Sequence, residues 1–207
     1  MKATETLRAE HGVILSVLGC LEKIVHGSKM TRSLDFTSAD EALDFLTTFA
    51  DRCHHGKEEN VFFPALAKRG LPTQVGPIAV MLADHCEGRE LRTRLATAVE
   101  AARRSEPKAI AEFAAASRAY VDLMRDHIDK ENSVLFPMGD GMLSPEDQIA
   151  IEKAFERVEH LDMGAGVHDR YLALVERLCA RLGVEPAVQQ AATHAGGCCG
   201  HKTSCGG

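Results

Sequence analysis

His54-His55-Gly56-Lys57-Glu58-Glu59-Asn60-Val61-Phe62-Phe63-Pro64 returns 73 residues later as His127-Ile128-Asp129-Lys130-Glu131-Asn132-Ser133-Val134-Leu135-Phe136-Pro137. Both stretches read H-x-x-K-E-x-x-V-x-F-P. Upstream, Ala9-Glu10-His11 resembles Ala83-Asp84-His85 at nearly the same offset, so each copy pairs a single His with a later H-x-x-x-E, 43 and 42 residues on. Two helix hairpins duplicated in this way predict a pseudo-twofold four-helix bundle.

The rest of the chain agrees with an all-α reading. It is rich in Ala, Leu, Glu and Arg, good helix formers, and no stretch alternates as a strand would. The first helix is expected from about Thr4 to His26, stopping at Gly27-Ser28. The second is expected to start at Ser38, where Ser38-Ala39-Asp40-Glu41 fits a capping box, and to end before Gly70. A third opens at Gly76-Pro77 and reaches about Arg104. A fourth begins near Ser105-Glu106-Pro107 and runs to Phe136-Pro137. A fifth begins at Ser144-Pro145-Glu146-Asp147 and continues to Leu182, with a break around Gly164 and Gly166. Pro64 and Pro137 are expected to end or kink their helices. The predicted architecture is an all-α, up-down four-helix bundle (residues 1–182, including an additional C-terminal helical segment) followed by a flexible Cys/His/Gly-rich tail (183–207).

Helix pitch gives the repeat its chemistry. Residues four apart lie about 40° apart on one face and about 6 Å apart along the axis. His54 and Glu58 therefore point the same way, as do His127 and Glu131. In an antiparallel bundle these pairs converge with His11 and His85, bringing together four imidazoles and two carboxylates. An isolated His on an apolar face is ordinarily a hydrogen-bonded core residue, and an isolated H-x-x-x-E is ordinarily a surface pair. The matched duplication points instead to metal. Two His per cation, with two Glu able to bridge, make a dinuclear centre the natural stoichiometry, and imidazole with carboxylate suits Fe, Zn, Cu, Ni or Mn.

Composition narrows the functional classes. The 207 residues carry a net charge of -6 and only 5% aromatics with no Trp, which argues against nucleic-acid binding. No apolar run is long enough for a membrane span, and the N-terminal stretch lacks an apolar signal core. Seven Cys, an odd number, with no export signal argue against a disulfide scaffold and for a reducing, cytoplasmic setting.

The pattern resembles the hemerythrin-like (HHE cation-binding) family over about residues 1–140. CHHGKEENVFFP, PIAVMLADHCEGREL and HIDKENSVLFPM look like one bacterial and archaeal branch, with similarity continuing through FERVEHLDMGAGVHDRY to about residue 182. The resemblance implies two Fe ions in a non-haem di-iron centre, bridged by two carboxylates and an oxo or hydroxo group. Carried over residue by residue, the ligands are His11, His54, Glu58, His85, His127 and Glu131, with Glu58 and Glu131 bridging. One departure stands out. The oxygen carriers of the family have a second His four residues along the third helix, where this chain has Arg89, which stays protonated and cannot ligate.

The region around the Gly164–Gly166 break offers replacements. Glu159, His168 and Tyr171 are candidates there, with Glu159 and His160 otherwise surface residues. His55, about 100° round the helix from His54, is expected in the surroundings of the site or in solvent. Lys57 and Lys130 are expected to point outward, Phe63 and Phe136 to wall the core, and Cys53 and Cys86 to be buried structural thiols. Cys198, Cys199, His201 and Cys205 of the tail form a cluster of soft ligands without zinc-finger spacing.

Three functions remain in view from the sequence. One is a di-iron protein that engages oxygen, nitric oxide or iron in sensing or stress response. Another is an enzyme that decomposes peroxide or reduces nitric oxide, with a separate redox partner. The third is a metal store using the tail.

Overall fold

The computed structural model describes residues 2–159, 164 and 166–187, and these form helices and connections with no strand among them. Six rods follow one another: α1 (Ala3–Thr31), α2 (residues 36–68), α3 (Pro77–Arg103), α4 (residues 109–142), α5 (Pro145–Arg157) and α6 (Val167–Leu182). No described helix is long and apolar enough to cross a membrane.

Local chemistry moves several helix ends from their expected places. α1 passes through Gly27-Ser28 to Thr31 because Ser28 is absorbed into the helix, its hydroxyl donating to the Val25 carbonyl at 2.9 Å. Arg32, at φ 55°, ends the helix instead. α2 starts at Phe36, not Ser38, because the Asp35 carboxylate accepts the Ser38 amide at 3.2 Å and is itself the cap. It ends as expected at Gly70, where the amides of Gly70 and Leu71 return to the carbonyls of Ala67 and Leu66, a Schellman closure with Gly70 at φ 101°. α4 starts late, at Ala109, because Ser105 and Lys108 take left-handed backbone and turn the chain. α5 starts where expected, and Ser144 and Asp147 cap each other's backbone there in a reciprocal capping box. α5 and α6 are separate, with Gly164 and Gly166 both at positive φ in the intervening segment.

Pro64 and Pro137 end neither rod. Each follows a π-helical stretch, Glu58–Phe62 in α2 and Glu131–Leu135 in α4, and a further one covers Leu46–His55. The amide of Phe63 reaches the carbonyl of Glu58, and that of Phe136 reaches Glu131, five residues back. The hydrogen-bond register restarts there, so each Pro stands in the first turn of the α-helical run that follows, Phe63–Lys68 or Phe136–Met142. In a first turn the missing N–H of Pro costs little.

Two apolar clusters place the site. One holds Ala3, Leu7, Phe62, Leu66, Ile78, Met81, Phe136, Ile151 and Phe155. The other holds Val17, Leu21, Phe45, Phe49, Leu91, Leu95, Phe113, Val121, Tyr171 and Leu178. Going along the chain, α1 meets the first cluster and then the second, α2 the second and then the first, and α3 and α4 repeat that alternation. Successive rods therefore run in opposite directions. α1 packs on α2 and α4, α3 packs on α2 and α4, and α6 lies against α1 and α2. In each of α1 to α4, the stretch between its two cluster segments carries the duplicated His and Glu.

Candidate metal centre

His11, His54, Glu58, His85, His127 and Glu131 are all at most 1% exposed and all meet. The two carboxylates lie at the middle. Glu58 turns Oε1 to the Nε2 of His54 (3.5 Å) and Oε2 to the Nε2 of His85 (3.4 Å). Glu131 holds Oε2 against the Nε2 of both His11 (3.1 Å) and His127 (3.3 Å). Each carboxylate thus faces a His from both halves of the repeat. With the imidazoles neutral, none of the four oxygens of Glu58 and Glu131 has a hydrogen-bond partner, nor do the Nε2 atoms of His11 and His54. Buried acceptors in this number are costly unless something positive sits among them. The donor set, imidazole and carboxylate converging on one space, fits a pair of divalent or trivalent cations.

A second layer fixes the direction of every ring. The Nδ1 of His11 lies 3.1 Å from Asn132 Oδ1, that of His54 2.9 Å from Glu10, that of His85 2.7 Å from Glu59, and that of His127 3.4 Å from Asp84. An acceptor at Nδ1 keeps the hydrogen there and turns the Nε2 lone pair inward, the tautomer that a cation needs. These outer partners follow the repeat. Glu10 and Asp84 each precede a single His, and Glu59 and Asn132 each follow a central Glu. The motif's Phe residues form the walls expected of them, Phe136 stacking on His11 at 5.3 Å and Phe63 on His85 at 5.9 Å.

The electrostatics express the crowding of charge. Burial, and then Glu131, push the Glu58 carboxyl well above the usual range. Burial also works on Glu131, but His127 and His11 overcome it and hold that carboxyl well below. Burial would lower His127, yet Glu131 and Asp84 raise it to about 9. Burial lowers His54 to about 4 against the pull of Glu10. Glu10 falls to about 2 despite burial, because His54 and Lys57 face it.

Several expected placements need correction. Lys57 does not point outward: it is fully buried and its ammonium is ion-paired with Glu10 and Glu159. Lys130 does reach the surface and pairs with Asp84 at 2.5 Å. Cys53 is buried as expected, whereas Cys86 is exposed. His55 takes the first of its two expected placements, in the surroundings of the site. It is 4% exposed and stacks on His85 with ring centroids 3.9 Å apart.

Glu159 and His168 gather with Glu10 in a group one layer out from the six, where His168 Nε2 stands 3.8 Å from Glu10 Oε1. A cavity of about 520 Å³ opens beside this group between α1 and α6. Tyr171 is not brought to the six. It is fully buried in the apolar cluster and its hydroxyl donates to Asp44 at 2.9 Å. His160, Cys198, Cys199, His201 and Cys205 lie outside the described residues.

Glu10, Lys57, Glu59, Asp84 and Asn132 were missed as functional residues by reasoning on ligand spacing alone. The signal for Glu10, Asp84 and Lys57 was the repeat itself, which keeps an acid before the single His and a Lys before the central Glu.

Comparison with known proteins agrees with this geometry. A family model for the hemerythrin HHE cation-binding domain matches residues 2–139. The chain is 26% identical over 162 residues to an uncharacterized protein of Mycobacterium bovis and, to the same extent, to uncharacterized proteins from two strains of Mycobacterium tuberculosis. These alignments cover 78% of this chain and 63% of each relative, so the chain spans less than two thirds of their length. No solved structure matches.

Proposed function

The chain belongs to the hemerythrin HHE cation-binding family, and we propose that it holds two iron ions between Glu58 and Glu131 and uses them to engage dioxygen or nitric oxide in sensing or stress response. In this reading α1 to α4 are an up-down four-helix bundle, and α5 and α6 cover it. The carrying observation is the pair of fully buried carboxylates with four unpartnered oxygens, each facing imidazoles from both halves of the chain. His11, His54, His85 and His127, with Glu58 and Glu131, would hold the ions.

Bound iron would supply open coordination positions and one-electron redox chemistry. The protein supplies the rest. Glu10, Glu59, Asp84 and Asn132 hold the rings in their ligating tautomers. Phe63, Phe136 and the apolar clusters on either side keep bulk water away.

The test is elemental analysis of the full chain with Cys198, Cys199 and Cys205 replaced by serine, followed by optical titration with dioxygen and nitric oxide. About two irons per chain and a spectrum that changes with either gas are expected. No iron, or iron whose spectrum ignores both gases, overturns the reading. Sustained turnover of peroxide would move it to an enzyme.

A further inference from the structure

His55 is the one imidazole inside the centre that the six ligands leave without a task. Its ring lies nearly parallel to that of His85, 3.9 Å away at 14°, and edge-on to that of His127 at 5.6 Å. One of its ring nitrogens forms a group with atoms of Glu58, His85 and His127, all within 4.8 Å of one another. Its Nδ1 is buried without a hydrogen bond. The nearest acceptor, Asp51 Oδ1, is 3.7 Å off, beyond bonding distance. Asp51 is engaged instead by Arg89 at 2.8 Å and Arg92 at 3.4 Å. Arg89 also holds Glu59, so this single guanidinium anchors both carboxylates that face the Nδ1 atoms of His55 and His85. A buried ring nitrogen left without a partner is costly, and a ligand role for the ring offsets that cost.

We infer that His55 is a third imidazole ligand of the cation held by His85, His127 and Glu58. This rests on the metal-binding reading above and deepens it. The group around the other cation has only two imidazoles, His11 and His54, with Glu58 and Glu131. The two positions are therefore chemically unequal. The His55 position is richer in nitrogen and holds its cation more tightly, and it favours metals that imidazole suits.

The test uses Co(II) titration of the metal-stripped full chain, read by visible absorption and by bound metal after desalting. Both His55→Ala and His55→Phe are compared with the unsubstituted protein, since Phe keeps the stacking on His85 but offers no nitrogen. The unsubstituted chain is expected to take up two Co(II) with distinct spectra. Each variant is expected to weaken one of the two positions by at least about 10–100-fold and to lose the spectrum of that position alone. Two Co(II) bound by either folded variant with unchanged affinity and spectrum overturn the role of His55. No Co(II) bound by the unsubstituted chain overturns the underlying metal reading as well.

Discussion

Glu10 and Asp84 occupy the same place in the two halves of the chain, one residue before a single His. Each faces the Nδ1 of the other His in its half and the Lys three residues beyond that His. Around the paired carboxylates the two halves are near copies, but one layer out they diverge. In the first half Lys57 is fully buried and meets a second acid, Glu159, brought by the C-terminal segment, with His168 close by. In the second half the Lys130 side chain is 39% exposed and has Asp84 alone. The duplicated sequence builds the same inner set of His and Glu twice. The packing of α5 and α6 on one side then decides which outer layer becomes a buried network and which stays a surface pair.

The inner layer is the symmetrical part, so breaking it on either side should have the same large effect. Glu58→Ala and Glu131→Ala should each abolish retention of both irons, read as metal per chain. Retention by one variant and not the other would show that the carboxylates do not share the cations.

The outer layer should respond unequally. Lys57→Ala leaves Glu10 buried against a lost partner and should cost about 3–5 kcal/mol in denaturant unfolding. Lys130→Ala removes a half-exposed pair, which at that exposure should cost about 0–1 kcal/mol. Equal costs would remove the distinction between the halves. Glu10→Gln and Asp84→Asn loosen the ring of one ligand each and should lower metal affinity by about 10–100-fold, with Asp84→Asn at the lower end. Its contact to His127 is the longer one, 3.4 Å against 2.9 Å.

The two halves also differ in the pH dependence of the metal-free protein. Glu10, lowered to about 2 from 4.5, contributes stability that is present above 4.5 and lost as pH falls toward 2. His127, raised to about 9 from 6.5, contributes stability that is present below 6.5 and lost as pH rises through 9. Thermal unfolding should therefore show an acid limb removed by Glu10→Gln and an alkaline limb removed by His127→Asn. Limbs indifferent to both substitutions would mean that neither half is tuned as described.

The six converging His and Glu were legible because they repeat and because i, i+4 spacing puts His and Glu on one face of any helix. Lys57 was illegible. Its placement assumed a regular 3.6-residue pitch, but α2 is π-helical over Leu46–His55 and again over Glu58–Phe62. Angles counted at 100° per residue do not hold through such turns, and nothing in the residue types announces them. Pro64 and Pro137 were the nearest signal, since a Pro that fails to break a helix requires the hydrogen-bond register to change beside it. Tyr171 and Glu159 depended on how the C-terminal segment docks, which no local pattern encodes.

The wide turns have a consequence for how this chain tolerates change in length. A π-helical turn is an α-helix with one residue too many, an insertion that the rod has absorbed without breaking. Removing one residue from Glu131–Leu135, beyond Glu131 itself, would return α4 to ordinary pitch and leave Phe136 on nearly the same face, because five residues of the wide turn cover about the same angle as four of an α-helix. Everything before the deletion would keep its place. The spare residue is thus slack: the rod can lose it and still carry the hydrophobic wall to His11, whereas a deletion in an ordinary turn would swing everything beyond it by about 100°.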